Sequence, residues 1–275
     1  MSIRLSKKSI ILFIGAILIG FSVFAQEDPP YRAQTNLEST GLWNGMYVKA
    51  QFSKKFAYYG EHHLRLRNNA DNLYGFYGRN NKIYNRMGLN IMFNPYFEAT
   101  VGPAFILRYA PSDDPKYDKV SLEKRIWHQY IFKMPAMGRV KVYHQFRFEH
   151  RWKKGYEKTD PFKYTNRYRY KLFAYIPINK HKIEEKTLYV SPSAELFMQS
   201  GKSVVYNPLE DFRIYNGIGY VLNRQVSFFA GHMWTIGQAA TGYNYRTSHV
   251  IRLNVLIGLD FRKTENTLPQ INMGY

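Results

Sequence analysis

The 275-residue chain carries 39 Lys and Arg against 20 Asp and Glu, a formal net charge of +19, and no cysteine. The missing thiols exclude disulfides, thiolate metal ligands and a cysteine nucleophile. Aromatic residues make up 17% of the chain, with 24 Tyr and 19 Phe, a load expected where rings girdle the two interfaces of a membrane.

Residues 1–25 read as a signal peptide: Arg4, Lys7 and Lys8 form a positive n-region, Ile10 to Gly20 an apolar h-region, and Ala25 a small residue suited to cleavage. The apolar run is short for a spanning helix, and no later run is long enough to be one. If the exported chain sits in a membrane, it must do so as strands. Residues 26–34, with Pro29 and Pro30, are expected to be a polar periplasmic lead-in.

From Thr35 the pattern is strand after strand with turn signals between them. Asn36–Trp43 is weakly patterned, and Asn44-Gly45 is a good hairpin pair leading into Met46–Ser53; one long bulged strand over both is the alternative. Phe56–Arg67 alternates Phe56, Tyr58, Leu64 and Leu66 against Glu61, His63, Arg65 and Arg67. Asn68–Gly78 is a long loop. Asn81–Phe93 sets Lys82, Tyr84, Arg86 and Asn90 opposite an aliphatic face, and Asn94-Pro95 turns tightly into Phe97–Tyr109, with Glu98 and Arg108 on the polar side. Ala110–Lys119 is a second long loop. Leu122–Met134 carries Glu123, Arg125, Trp127 and Gln129 on its polar face, and Pro135–Gly138 is a short turn.

The clearest strand is Arg139–Trp152, RVKVYHQFRFEHRW. Arg147, Glu149 and Arg151 share one face; Val140, Val142, Phe146, Phe148 and Trp152 share the other. The run is long and its apolar face ends in aromatics, as a strand with lipid outside and a polar lumen inside would. Lys153–Pro161 is a loop, Tyr164–Ile176 turns Arg167, Arg169 and Lys171 inward, and Asn179–Glu185 is a polar turn. Leu188–Met198 turns Glu195 inward. After the loop Ser200–Leu209 come Phe212–Leu222, with Arg213, the turn Asn223–Gln225, and Val226–Thr235. Gly237–Asn244 is the last loop. Arg246–Phe261 faces Arg252 and Asn254 inward, and 263–275 is a polar tail.

Long and short connections alternate. Bacterial outer-membrane barrels place long loops outside and short turns in the periplasm. Eleven strands are patterned when Met46–Ser53 is counted. Both chain ends in the periplasm would require an even number, so about twelve are expected, with Asn36–Trp43 as the first; ten is the alternative. The fold class is therefore all-β: a single antiparallel up-and-down transmembrane barrel over 35–262, in the outer membrane. Pro103 and Pro192 fall inside expected strands, where a missing N–H calls for a bulge or a strand end.

The inward phase gathers Glu61, Glu98, Glu123, Glu149 and Glu195 with Arg65, Arg86, Arg108, Arg125, Arg147, Arg151, Arg167, Arg169, Arg213 and Arg252. In a narrow lumen such charges must pair. The plain reading is a salt-bridge network filling a small barrel; the sharper one is that surplus Arg attracts anions. A basic chain suits anionic partners. Export, and the spread of basic residues along strands rather than on one helix or loop, argue against nucleic acid. Membrane lipid, lipopolysaccharide and small anionic solutes are the expected partners.

A lipase-type site would need His beside Ser with an orienting polar group, and a protease-type site Asp with His at the outer rim. Ser248 and His249 are adjacent and so point to opposite faces, and Asp113, Asp114 and Asp118 share a loop without a His. His62, His128, His144, His150, His232 and His249 fall in the outward phase. No catalytic residue, metal site or cofactor is assigned, and a narrow pore or accessory envelope protein is expected rather than an enzyme. A barrel hydrolase and a secreted soluble β-protein are the rival readings.

Five segments, KKFAYYGEHHLRLRNN (Lys54–Asn69), LEKRIWHQ (Leu122–Gln129), FRFEHRW (Phe146–Trp152), NRYRYKL (Asn166–Leu172) and SAELFM (Ser193–Met198), resemble an uncharacterised domain-of-unknown-function family of outer-membrane barrels from Gram-negative bacteria. The resemblance implies an outer-membrane location and a single antiparallel barrel. It carries no established activity, so no site residue transfers from it.

Overall fold

Period-two alternation puts every second side chain on the same side of a strand, and closing the strands on themselves turns those two sides into a lumen and an outer wall. The computed structural model describes residues 35–69, 71–204, 206–239, 242 and 244–262. The expected signal peptide, lead-in and tail lie outside the described residues.

Twelve strands follow in chain order, with no helix among the described residues: β1 (Thr35–Gln51), β2 (Phe56–Arg67), β3 (Arg79–Asn94), β4 (Phe97–Tyr109), β5 (Val120–Lys133), β6 (Lys141–Lys154), β7 (Phe162–Pro177), β8 (Leu188–Val190), β9 (Ser193–Ser200), β10 (Leu209–Val221), β11 (Val226–Gln238) and β12 (Tyr245–Asp260). Neighbours pair antiparallel from β1 round to β12, and β12 returns to pair with β1 along its whole length. β8 and β9 share one place in the wall, because both pair with β7 on one side and β10 on the other. The barrel therefore has eleven positions occupied by twelve strands.

Two expectations are corrected here. The eleven patterned strands need no twelfth to make the count even, because the closing pair β1–β12 is parallel, with Thr35 opposite Tyr245 and Gln51 opposite Asp260. An odd number of wall positions, joined in order by an even number of antiparallel steps, can close only through one parallel pair. As a result the described chain enters at the rim carrying the loops 68–78, 110–119, 155–161, 201–208 and 239–244. It leaves at the rim carrying the turns 52–55, 95–96, 134–140, 178–187 and 222–225. The two ends do not share a rim. Likewise Asn44-Gly45 does not turn; it lies inside β1, paired with Leu64 and His63. Gly45 serves close packing instead, since a Cβ there would stand 2.5 Å from Asn254 Oδ1.

The two prolines interrupt pairing in different ways. Pro192 ends a strand: it lies in the gap between β8 and β9, across which Ala174 N–H still reaches the Pro192 carbonyl at 3.1 Å. Pro103 causes no bulge. β4 stays paired with β5 there and keeps its register with β3, whose ladder lapses only opposite Met87 and Gly88.

The inward face is polar in one half of the barrel and ringed in the other. Toward the short-turn rim, Tyr47, Tyr143, Phe173, Tyr175, Tyr189, Tyr215 and Phe229 form a buried cluster with Ile131, Val221, Met233, Val250 and Leu256. Tyr143 stacks on Phe173 at 4.9 Å, and Tyr215 meets Phe229 edge-on at 5.2 Å. The space left among these rings is about 20 Å3, room for about one water. A smaller group, Tyr59, Tyr84, Ala104, Ile106 and Trp127, packs inside β2 to β5.

The outer wall is apolar on every side. Met46, Leu64, Leu89, Phe105, Ile126, Trp152, Tyr168, Leu196, Ile218, Phe228 and Leu253, one from each position in the wall, are exposed. Phe146 meets the neighbouring rings Phe132 and Tyr170, at 6.1 and 5.0 Å. Nothing among the described residues forms a second layer over this surface.

Candidate functional site

The inward charges gather above the aromatic cluster, toward the long-loop rim. β6 brings Arg147, Glu149 and Arg151 to three successive inward positions, and β2, β3, β5 and β7 supply Glu61, Arg86, Glu123, Arg125, Arg167 and Arg169 around them.

Glu149 is the hub, with its side chain at 0% exposure. It binds Arg86, and it accepts from Arg125 at 2.6 Å, Arg169 at 3.0 Å and Arg167 at 3.4 Å. Two carboxylate oxygens offer about four acceptor sites, so one glutamate joins guanidinium groups from three other strands. Glu61 binds Arg86 and accepts from Arg147 at 2.7 Å and from the Tyr59 hydroxyl at 2.8 Å. Arg125 also reaches Glu123 at 2.8 Å, and Arg169 reaches Glu195 at 2.6 Å. Arg147 donates to Gln129 Oε1 at 2.9 and 2.6 Å. Buried ions held this way are costly to leave unpaired, and so they fix which strands face each other.

Not every expected residue joins this network. Glu98 faces inward but sits near the short-turn rim, where it pairs with Lys49 at 3.0 Å and Lys133 at 3.1 Å. Arg108 stands apart from Glu123 at 3.9 Å and donates to Ser121 Oγ at 3.0 Å and to the Lys154 carbonyl. Arg213 pairs with Asp211. Arg252 donates to the Tyr47 hydroxyl at 2.7 Å, and Arg65 lies over the Trp43 ring with its guanidinium carbon 3.8 Å from the centroid.

Glu210 was not among the expected residues. It binds Arg167 and accepts from Arg151 at 2.8 Å. A β-bulge between Leu209 and Asp211 lets two consecutive acidic side chains serve the lumen. Strict alternation gives no sign of it; the Glu-Asp pair before Phe212 was the available hint. Lys82, Lys153 and Lys171 also belong to the site.

A chamber of about 180 Å3 lies at the centre of these groups. Thirteen Lys and Arg side chains line it against four glutamates, Glu61, Glu123, Glu195 and Glu210. Each of these four glutamates is paired with an arginine, and a cationic surplus remains beside them. Lys153, one of the lining residues, is exposed, so the chamber reaches solvent beside the β6–β7 loop.

Five of the six outward histidines hydrogen-bond within the wall, while His128 stacks on Phe148 at 4.9 Å. His62 shares a hydrogen bond with Asn85 at 3.0 Å, His144 with Tyr170 at 2.8 Å, His150 with Tyr164 at 2.9 Å and Asn166 at 2.8 Å, and His232 with His249 at 2.9 Å. Among the described residues none of these four groupings includes a Ser or a carboxylate. No group of three or more His, Cys, Asp or Glu placed to hold a metal occurs among the described residues.

No curated protein and no solved structure matches this chain. Residues 40–246 match the family described as "Protein of unknown function (DUF2490)", a span that takes in all five segments singled out in the sequence. That match covers most of the chain, which therefore belongs to the DUF2490 family of proteins of unknown function.

Proposed function

We propose that the protein is a non-enzymatic outer-membrane β-barrel, an accessory envelope protein whose lumen is braced by arginine and glutamate. The observation that carries this reading is the uncovered belt. Every position in the wall exposes a large apolar or aromatic side chain, while the buried charged side chains point inward. Soluble monomers rarely expose contiguous apolar patches beyond a few hundred Å2, and lipid is the occupant that a belt with no interruption round the barrel fits. Closure of β12 on β1 supports the same reading, because a membrane strand cannot leave an edge unpaired.

The lumen favours a sealed barrel over a porin-like conduit. The aromatic cluster fills the short-turn half with about 20 Å3 to spare, far less than a hydrated ion needs. The partners are then membrane lipid and lipopolysaccharide at the wall and small anionic solutes at the open end of the chamber.

Fractionation with alkaline extraction, followed by planar-bilayer recording of the refolded protein, tests both parts. Retention in outer membranes with no steady conductance is expected. Release into the soluble fraction overturns the location, and steady conductance overturns the seal.

A further inference from the structure

We propose that the long-loop half of the lumen is a binding site for a small soluble anion carrying phosphoryl groups, held by the cations that the glutamate network leaves unpaired. This deepens the preceding reading by naming the solute class. It rests on that reading for the sealed lumen but not for the membrane.

The first observation is a row of like charges. Arg65 on β2 stands directly opposite Lys82 on β3, and Lys82 stands directly opposite Arg108 on β4. Like charges at facing positions destabilise a sheet. Among the described residues neither Arg65 nor Lys82 has a carboxylate within 4.0 Å, and Arg108 has only Glu123 at 3.9 Å.

The second observation is the crowding at Trp43. The guanidinium groups of Arg65, Arg213 and Arg252 lie 3.8, 5.4 and 5.9 Å from the centroid of that one ring. Arg213 also has Asp211, but among the described residues Arg65 and Arg252 have no carboxylate within 4.0 Å, and ring faces are weak counter-charges by comparison. The third is orphaned hydrogen-bonding capacity: His63 Nε2 and the Nε atoms of Arg65, Arg108 and Arg252 are buried without a partner. The residues that carry these atoms line the same 180 Å3 chamber.

An anion entering beside Lys153 would supply what all three lack. Charge density selects the class. The surplus is many positive charges around a small volume, and a phosphoryl group brings about two negative charges and three acceptor oxygens where a carboxylate brings one charge and two. Guanidinium groups match phosphate oxygens in pairs. The strand wall stands between this chamber and any surrounding lipid tails, which favours a soluble phosphate over a lipid headgroup.

Calorimetric titration of the purified full chain with pyrophosphate tests this, at about 0.15 M salt so that interactions between exposed charges beyond about 8 Å are largely screened. One-to-one binding is expected, weakened at least about tenfold in Arg65→Gln/Lys82→Gln. That double variant relieves the repulsion, so without ligand it should melt at a higher temperature than the parent, and its heat-modifiable gel shift reports the folded barrel. Absence of binding, or equal affinity in the double variant, overturns the site. Citrate binding as tightly as pyrophosphate overturns the phosphoryl preference. A short-chain phosphatidic acid competing more tightly than pyrophosphate overturns the soluble source. The titration reads the same in detergent or plain buffer, so a failed membrane location and a failed anion site are told apart.

Discussion

The indole N–H of Trp127 donates to the carbonyl oxygen of Pro103 at 3.1 Å and also reaches that of Met87 at 3.3 Å. Pro103 has no N–H to offer β3, so the ladder lapses there, and carbonyls in a closed wall have no other donor nearby. Trp127, fully buried in the lumen, reaches across from β5 to supply one. It can do so because Gly88 faces it: a Cβ on Gly88 would stand 3.1 Å from the ring and 2.7 Å from the Val101 carbonyl.

Replacing Trp127 with Phe keeps a ring in place and removes the donor. Two wall carbonyls then lose their partner, and a loss of about 1–3 kcal/mol is expected. Urea unfolding in detergent, followed by the heat-modifiable gel shift, reads it. Trp127→Ala should cost more, about 3–5 kcal/mol, because a cavity is added to the lost bond.

Glu149→Gln changes one charge and almost no volume. Four arginines lose their shared partner, and loss of one member of a buried ion network costs about 3–5 kcal/mol. Glu98→Gln, outside that network, leaves two lysines nearer the rim and should cost clearly less. Equal midpoints for the two variants in the same urea series would contradict the hub.

The aromatic floor predicts a gain of function. Tyr175 meets Tyr189 edge-on at 5.6 Å, and Tyr189 stacks on Phe229 at 6.0 Å. Tyr175→Ala/Tyr189→Ala removes adjoining parts of the floor, and steady conductance should appear in planar bilayers where the parent shows none. With the cationic chamber above the opening, the current should favour anions.

The absence of cysteine makes topology easy to read with single introduced thiols. Asp113→Cys, in a long loop, should react with a membrane-impermeant maleimide on intact cells. Gln225→Cys, in a tight turn, should react only after the outer membrane is permeabilised. The opposite pattern would turn the barrel over.

Much of this was legible in the chain. The alternation of Phe146, Arg147, Phe148 and Glu149 gives the face of every residue in β6, and burial follows it from Tyr143 to Arg151. What alternation gives is a face, not a height, which is why Glu98 reads as part of the same network yet lies with Lys49 and Lys133 near the other rim. Bulges are equally silent, so Glu210 went unread. The closing pair was hidden for a different reason: β1 meets β12 more than two hundred residues later, and nothing local says whether the two run the same way. Asn44-Gly45 mimics a turn because the pair that suits a hairpin also leaves space, and here Asn254 takes that space.

The most direct test of which side meets hydrocarbon is spin labelling of the refolded protein in lipid vesicles, with labels placed one at a time at Phe146→Cys, Phe148→Cys and Leu253→Cys, and at Asp113→Cys as a solvent reference. Oxygen, which concentrates in the bilayer core, should collide often with the first three labels, and a water-soluble nickel complex should collide only with the fourth. If nickel reaches Phe146→Cys, Phe148→Cys and Leu253→Cys as freely as Asp113→Cys, the outer wall faces water and the barrel does not span a membrane.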